Sequence, residues 1–164
     1  MFHIEPNSPQ HLKVGKIGED IACRYLKDKG YKIIERNFRR KWGEIDIICF
    51  KKYNNGSIWN KLTNKVLNTL HKKNLHDKNL NNPYGTNNKK LIFVEVKTLK
   101  NVFGLKPEDN LTYFKQKKLI RTCQLYISEK NIDQDTDWQI DAVLIEIDSV
   151  SKKAKIKHIE SAIY

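Results

Sequence analysis

Acidic side chains and a lysine interrupt two apolar segments of this chain. In EIDIICF, residues 44–50, Asp46 stands between isoleucines, and in LIFVEVKT, residues 91–98, Glu95 and Lys97 flank Val96. Two carboxylates, together with water and a backbone carbonyl, suit a hard cation such as Mg²⁺. A lysine beside such a cation can position an attacking water and stabilise a charged phosphate. The three side chains therefore have the types needed for metal-dependent hydrolysis of a phosphodiester bond.

Both segments have the composition of β-strands. Side chains alternate across a strand, so Glu44 and Asp46 are expected on one face of the first strand, with Ile45 and Ile47 on the other. If the two strands are neighbours, Asp46 and Glu95 meet. In the second strand the expected faces are Phe93, Glu95 and Lys97 on one side and Ile92, Val94 and Val96 on the other.

Simpler explanations exist for each of these charges. Asp46 alone is explained by a solvated acid near a turn, and Glu95 with Lys97 by a cross-strand ion pair. Other catalytic chemistries have less support, because the chain has no Gly-rich phosphate loop and no GxSxG, and its five histidines are scattered without an HExxH motif.

A first helix is predicted to bring a further acid. Gly15, Gly18 and Ala22 form a stripe of small residues at helical spacing, and Glu19 lies at its edge. Glycine within a helix costs about 1 kcal/mol relative to alanine, so the stripe predicts a close approach to the sheet. That approach would direct Glu19 toward the acidic strands; the alternative is an exposed helix glutamate.

The whole pattern predicts one α/β domain over residues 1–164, a mixed sheet flanked by helices in the order α-β-β-β-α-β-β. Ser8-Pro9 is expected to begin the first helix and Gly30 to end it. The other elements are expected at 31–38, 44–50, 91–98, a helix at 112–130, 137–148 and 153–163. The last strand alternates Lys and Ile, which is typical of a sheet edge.

An Asn- and Lys-rich segment, residues 51–90, is interpreted as an insertion between the second and third strands. It contains nine lysines and one acid, so it supplies +8 of the formal net charge of +12. Its composition is equally that of a solvated loop. The basic charge of the whole chain is therefore weak support for a nucleic-acid partner.

The second predicted helix carries candidate phosphate contacts. Gln116 interrupts its apolar stripe, and a buried amide needs a polar partner such as a cleft. Lys115, Lys118 and Arg121 lie on other faces, where they suit phosphate binding or form a solvated basic face. The three cysteines fit neither a disulfide framework nor a metal site, and no secretory signal or membrane span is evident, so a cytoplasmic setting is expected.

Four stretches resemble the YraN-type bacterial family: GEDIACRYL, RNFRRKWGEIDIIC, LIFVEVKT and YFKQKKLIRTCQLYI. The resemblance covers nearly the whole chain outside residues 51–90. That family is similar in fold to restriction endonucleases and to archaeal Holliday-junction resolvases of the PD-(D/E)xK class. The chain departs from the family pattern mainly in the long insertion, which falls between Asp46 and Glu95.

The resemblance implies an active site of Asp46, Glu95 and Lys97, with Glu19 as an accessory acid. Mg²⁺, or Mn²⁺ in its place, would be held by the two carboxylates and the carbonyl of Val96. Asp141 matches a family acid to which the resemblance assigns a structural role, and Gly43-Glu44 match a turn motif. The implied nucleic-acid contacts are Arg36, Arg39, Lys115 and Gln116, to which the helix pattern adds Lys118.

The implied function is a metal-dependent endonuclease acting on DNA, with branched recombination intermediates as one substrate class. The main alternative is a non-catalytic nucleic-acid-binding protein that keeps the nuclease fold, and a third is an interaction protein whose basic insertion binds an acidic partner. A homodimer would suit a two-fold symmetric substrate, although no dimer face is evident in the sequence.

Overall fold

A computed structural model of the chain describes residues 10–52, 89–100, 113–148, 151 and 153–163. The predicted element order is confirmed. The Ser8-Pro9 cap and the middle of the predicted insertion lie outside the described residues. The elements are α1 (Gln10–Asp28), β1 (Tyr31–Arg40), β2 (Gly43–Lys52), β3 (Lys89–Lys100), α2 (Tyr113–Glu129), β4 (Trp138–Asp148) and β5 (Lys153–Ile163).

The five strands form one mixed sheet in the order β1-β2-β3-β4-β5. Only β3 and β4 run parallel, and the other neighbours are antiparallel. Parallel neighbours need a crossover rather than a tight turn, and α2 lies in the connection between β3 and β4. Strand β5 lies at the edge of the sheet, as its Lys–Ile alternation predicts.

Both hairpins reach further than the sequence pattern indicates. Arg40 pairs with Gly43, so the first hairpin turns through Lys41 and Trp42 alone. In the second, Lys52 pairs with Lys89. The predicted insertion of residues 51–90 is therefore wrong at its ends, because two lysines at each end continue the strand ladder.

Each face of the sheet is covered by one helix. Ala22, Cys23 and Leu26 of α1 are buried with one apolar cluster, and Leu119, Cys123 and Tyr126 of α2 are buried with the other. Burial on both faces explains why β3 and β4 contain continuous apolar runs. We refer below to the α1 side and the α2 side of the sheet.

One of the two helix glycines is required by close packing. A methyl group built on Gly18 would overlap the Thr98 hydroxyl of β3, so α1 lies against the sheet at this point. At Gly15 no described atom lies within 4 Å of such a methyl group. The predicted close approach is thus confirmed at Gly18 and wrong at Gly15. Gly30 ends the helix with a positive φ of 84°, as predicted.

Candidate active site

Asp46 lies at a fork between β2 and β3. Main-chain pairing of these strands reaches Ile47 opposite Val94 and goes no further toward Asp46. Beyond that point the Val96 amide donates a hydrogen bond to Oδ2 of Asp46 at 2.7 Å. The carboxylate therefore occupies the place of the missing main-chain partner, which fixes its position between the two strands.

The fork coincides with a change of face in both strands of the first hairpin. Ile45 belongs to the α2-side core whereas Ile47 belongs to the α1-side core, so the prediction that they share a face is wrong. Opposite them, Phe38 pairs with Ile45 and Arg36 with Ile47, and Asn37 between them has a positive φ of 54°. A left-handed residue twists the strand locally, and simple alternation fails here.

Glu95 follows the predicted alternation. Phe93 packs in the α2-side core, while Ile92, Val94 and Val96 pack on the α1 side. Glu95 accordingly faces the α2 side, where it lines a cavity of about 210 Å³. The cavity lies between β2, β3 and α2, and its lining residues are Gly43, Glu44, Asp46, Glu95, Lys115, Lys118 and Leu119.

The two carboxylates of the cavity are costly to ionise together. Burial and, next in size, the negative charge of Glu95 raise the pKa of Asp46 to about 7, against the opposing effect of the Val96 hydrogen bond. Burial also raises the pKa of Glu95, while the charges of Lys97 and Lys115 lower it. Perturbed carboxyl groups of this kind are concentrated at functional sites.

The carboxylate of Glu95 is available to a ligand. Over the described ranges, no side chain forms a hydrogen bond or an ion pair with its carboxylate. Lys97 and Lys115 act on it only through their charges. Lys97 is partly buried on β3 and does not line the cavity, whereas Lys115 and Lys118 do.

Glu19 lies in a second, larger hollow of about 610 Å³ on the α1 side. Its negative charge contributes to the raised pKa of Asp46, so it is electrostatically linked to the site without lining the same cavity. Arg36, which also lines this hollow, forms ion pairs with Asp20 at 2.7 Å and with Glu19 at 3.5 Å.

Two of the arginines that the sequence predicts as DNA contacts thus form ion pairs with acidic side chains in this structure. Arg36 is held by α1, and Arg39 pairs with Glu44 at 2.6 Å. Gln116 is partly buried on α2 but is not among the residues that line either cavity. Of the predicted cationic contacts, Lys115 and Lys118 are the two that reach the acidic cavity.

Gly43 determines how closely α2 approaches the fork. A methyl group built on Gly43 would lie 2.6 Å from the Thr122 hydroxyl, so a larger residue would push the helix away. That hydroxyl donates to the Lys118 carbonyl within α2 at 2.8 Å. The GE pair therefore shapes the site as well as the turn, since Glu44 lines the cavity itself.

Asp141 belongs to a separate buried network on the α1 side. Its carboxylate accepts hydrogen bonds from the Gln139 side chain at 2.7 Å and from the Ser161 amide at 2.9 Å, and it pairs with His158 at 2.9 Å. Ser161 has a positive φ of 51° where the β4–β5 register shifts. The network holds this bulge in place, an arrangement without a local sequence signal because its members come from two strands.

Sequence reasoning missed Trp42 as a surface feature. It is one of two turn residues between β1 and β2, and half of its side-chain surface is exposed. The usable signal was a tryptophan in a two-residue turn, where polar residues are the norm.

The donors at the fork are carboxylate oxygens, the type of ligand that Mg²⁺ prefers. Over the described part of the chain, no group of three or more His, Cys, Asp or Glu residues converges to hold a metal ion. Mg²⁺ usually takes only one or two protein carboxylates, because water and substrate phosphates fill its other positions. Asp46 retains Oδ1 beside the bonded Oδ2, and Glu95 has no side-chain partner among the described residues, so the donor types of the pair are those that Mg²⁺ accepts. A structural zinc site, with four protein ligands, does not fit.

The fold and the site define a mixed α/β protein with two buried carboxylates at a fork between antiparallel strands. The model of the uncharacterised protein family UPF0102 matches residues 18–145, and the chain belongs to this family. It is the YraN family that the sequence motifs resemble.

Individual relatives match along almost their whole length. A UPF0102 protein of Alkaliphilus oremlandii is 34% identical over 151 residues, which are 92% of this chain and 97% of that protein. A UPF0102 protein of Clostridium botulinum strain Loch Maree is 31% identical over 149 residues, 91% of this chain and 92% of its own. In the described part of the structure, neither helix combines the length and the apolar composition needed to cross a membrane.

Proposed function

We propose that this protein is a Mg²⁺-dependent endonuclease that hydrolyses phosphodiester bonds of DNA, with branched intermediates among its substrates. The observation that carries the proposal is the pair of partly buried carboxylates, Asp46 and Glu95, in a cavity whose other charged residues include Lys115 and Lys118. Burying two acids together is unfavourable, so a cation is the natural occupant, and Lys115 and Lys118 beside it suit a polyanion. DNA as substrate accords with a cytoplasmic setting.

Each residue of the site has a role that follows from its position. Asp46 and Glu95 would hold Mg²⁺, with the carbonyl of Val96 as a further ligand that the sequence predicts. When bound, the cation would neutralise charge on the scissile phosphate and activate a water molecule. The Val96 amide holds Asp46 in place before any ligand arrives, so little reorganisation is needed.

The cations beside the carboxylates would act on the phosphate. Lys97 lies two residues from Glu95 on the same strand face and stabilises negative charge that builds up during attack on phosphorus. Lys115 and Lys118, exposed on α2 at the cavity, would bind the DNA backbone. Glu19 on the α1 side adds negative charge that would attract the cation, the same charge that raises the pKa of Asp46 when no cation is bound.

The test is a cleavage assay on linear, nicked and four-way-junction DNA in Mg²⁺ and in EDTA. We expect the wild type to cut at least one of these in Mg²⁺ only. Asp46→Asn, Glu95→Gln and Lys97→Ala should abolish cutting because each removes a charge at the site, and Asp28→Asn, an exposed carboxylate at the end of α1, should cut like wild type.

Two results would contradict the proposal: no cutting by the wild type on any substrate, or equal cutting by the site variants. DNA binding by a wild type that never cuts would instead support the alternative of a non-catalytic binding protein. Manganese should replace Mg²⁺ in the active case, because both accept oxygen ligands.

A further inference from the structure

We propose that the surface beside the cavity binds unpaired nucleotides, with Trp42 as a stacking platform for an exposed base. The inference deepens the proposed function by naming a structural class of substrate: DNA with a single-stranded tail, flap or splayed end. It depends on the proposed function only in assuming that the bound strand is then cut. The binding of the strand is a separate property.

The surface consists of two exposed aromatic residues with cations between them. Trp42 is 52% exposed in the β1–β2 turn, and Phe114 is 77% exposed in the first turn of α2. Exposed apolar surface that is rimmed by charged residues often marks an interaction site. We call this surface the Trp42 platform; it comprises Lys41, Trp42, Phe114, Lys117, Lys118 and Arg121.

The residues of the platform are continuous along α2. Phe114, Lys117, Lys118 and Arg121 follow the spacing i, i+3, i+4, i+7, which places them on one face of the helix. From Phe114 to Arg121 the helix rises about 10 Å, which is the length of about three nucleotides of one strand at the stacked spacing of duplex DNA.

Two cations lie over the indole ring of Trp42. Arg121 places its guanidinium carbon 5.8 Å from the ring centroid, and Lys41 places Nζ at 5.3 Å. A base that stacks on the indole would take the place of one of these cations, and the displaced cation could then contact the phosphates of the same strand. Neither cation forms an ion pair in the described part of the chain, so both charges remain for a ligand.

The platform joins the cavity directly. Gly43 follows Trp42 and lines the cavity, and Lys118 belongs to both surfaces. A strand lying over Trp42 and along α2 would therefore bring a phosphate to Asp46 and Glu95. The platform is cationic, and a cation held by Asp46 and Glu95 would make the cavity attractive to phosphate as well, so the two surfaces together suit one continuous polyanion.

Unpaired bases are the favoured occupant because stacking needs a free base face. In a duplex the faces are covered by neighbouring base pairs, whereas single strands expose them, and stacking on aromatic side chains tolerates any sequence. A protein partner would also use aromatic and arginine residues, but the charged residues of the platform are all positive, which favours a phosphate backbone.

The test measures binding in EDTA, so that no cleavage occurs, by fluorescence anisotropy with three labelled DNAs. These are a blunt duplex, the same duplex with a short single-stranded tail, and the same duplex with a tail of equal length made of abasic nucleotides. The abasic tail keeps the phosphates and removes the base faces. We expect the base-bearing tail to bind about tenfold more tightly than the abasic tail, the size of one stacking contact.

The variants separate stacking from charge. Trp42→Ala should bring this ratio close to one, Trp42→Phe should keep most of it, and Phe114→Ala should reduce it. Lys155→Ala, which removes an exposed charge on the distant edge strand β5, should leave the ratio unchanged. Circular dichroism of each variant checks that the fold is retained.

The proposal is overturned if base-bearing and abasic tails bind equally well to the wild type, or if Trp42→Ala weakens both equally. It is also overturned if no DNA binds, which would leave a protein partner for the platform. A protein that prefers base-bearing tails but never cuts DNA would keep this inference and contradict the proposed nuclease activity, so the two failures are distinguishable.

Discussion

Asp46 combines a structural contact with an unfavourable charge. Its Oδ2 satisfies the Val96 amide at the strand fork, yet burial and the neighbouring Glu95 raise its pKa from 3.8 to about 7. An uncharged side chain of the same shape would keep the hydrogen bond and remove the charge. The second carboxylate therefore lowers the stability of the folded state, a cost that is common at functional sites.

We predict that Asp46→Asn stabilises the metal-free protein above neutral pH. The pKa of Asp46 is higher in the folded state than in the unfolded state. Between these two pKa values the folded state holds a proton that the unfolded state has lost, so the free energy of unfolding falls as pH rises. The loss reaches up to about 4 kcal/mol by linkage, since each pKa unit corresponds to about 1.4 kcal/mol. Urea unfolding in EDTA at about pH 5 and about pH 8 measures it.

The variant should lose most of this dependence on pH, and should be as stable as wild type or more so at the higher value. Asp28→Asn, which alters an exposed carboxylate, should retain the wild-type slope. Parallel pH slopes for Asp46→Asn and the wild type would show that Asp46 is ionised without cost.

At the scale of elements, the distance between each helix and the sheet is determined by a small residue. Gly18 allows α1 to contact Thr98 of β3, and Gly43 allows α2 to contact the first hairpin through Thr122. These two contacts place Glu19 on one side of the fork and Lys115 with Lys118 on the other. Helix position thus controls how near Glu19, Lys115 and Lys118 lie to the fork, whereas Glu95 and Glu44 act on Asp46 from the strands.

We predict that Gly18→Ala destabilises the protein by about 1–3 kcal/mol, the usual cost of overpacking. Gly15→Ala is the matched control: it makes the same change in the same helix, where no described atom lies within 4 Å. It should stabilise the fold by up to about 1 kcal/mol through helix propensity. Thermal or urea unfolding of both variants measures the difference.

Thr98→Ala in the Gly18→Ala background should restore part of the stability, because it removes the hydroxyl and methyl groups that overlap. If Gly18→Ala were as stable as Gly15→Ala, the close approach of α1 to β3 would be wrong, and with it the placement of Glu19.

At the scale of the whole molecule, charge is distributed unevenly around the sheet. Arg36, Arg39 and Arg40 on β1 are each paired with an acid, whereas the α2 surface beside the cavity carries lysines without such partners among the described residues. The residues that hold most of the net charge of +12 lie in the segment 51–90, largely outside the described ranges. Ionic strength should therefore affect α2 and that segment most.

We predict that Lys115→Ala and Lys118→Ala each reduce the salt dependence of DNA binding. Every lost phosphate contact should lower the slope of log affinity against log salt concentration by about one. Anisotropy titrations at several salt concentrations measure these slopes. Lys155→Ala on β5 should leave the slope unchanged; an equal reduction by all three variants would mean that binding depends on overall charge alone.

Much of this protein follows from local sequence patterns. The element order, the edge position of β5, the face of Glu95 and the helix end at Gly30 all arise from periodicity and backbone preferences, which neighbouring residues determine. The family motifs identified the family. These features needed no knowledge of which strands pair.

Tertiary structure decided the features that depend on two distant segments. The face change at Asn37 and Asp46 requires paired strands that twist together, and the bond from Val96 to Asp46 exists only at their fork. The acid partners of Arg36 and Arg39, and the Asp141 network, likewise join separate elements. Sequence alone determined that two acids and a lysine were available. The fork between β2 and β3 determined that Asp46 and Glu95 share one cavity. These residues are 49 positions apart in the chain, so only packing brings each within range of the other's charge.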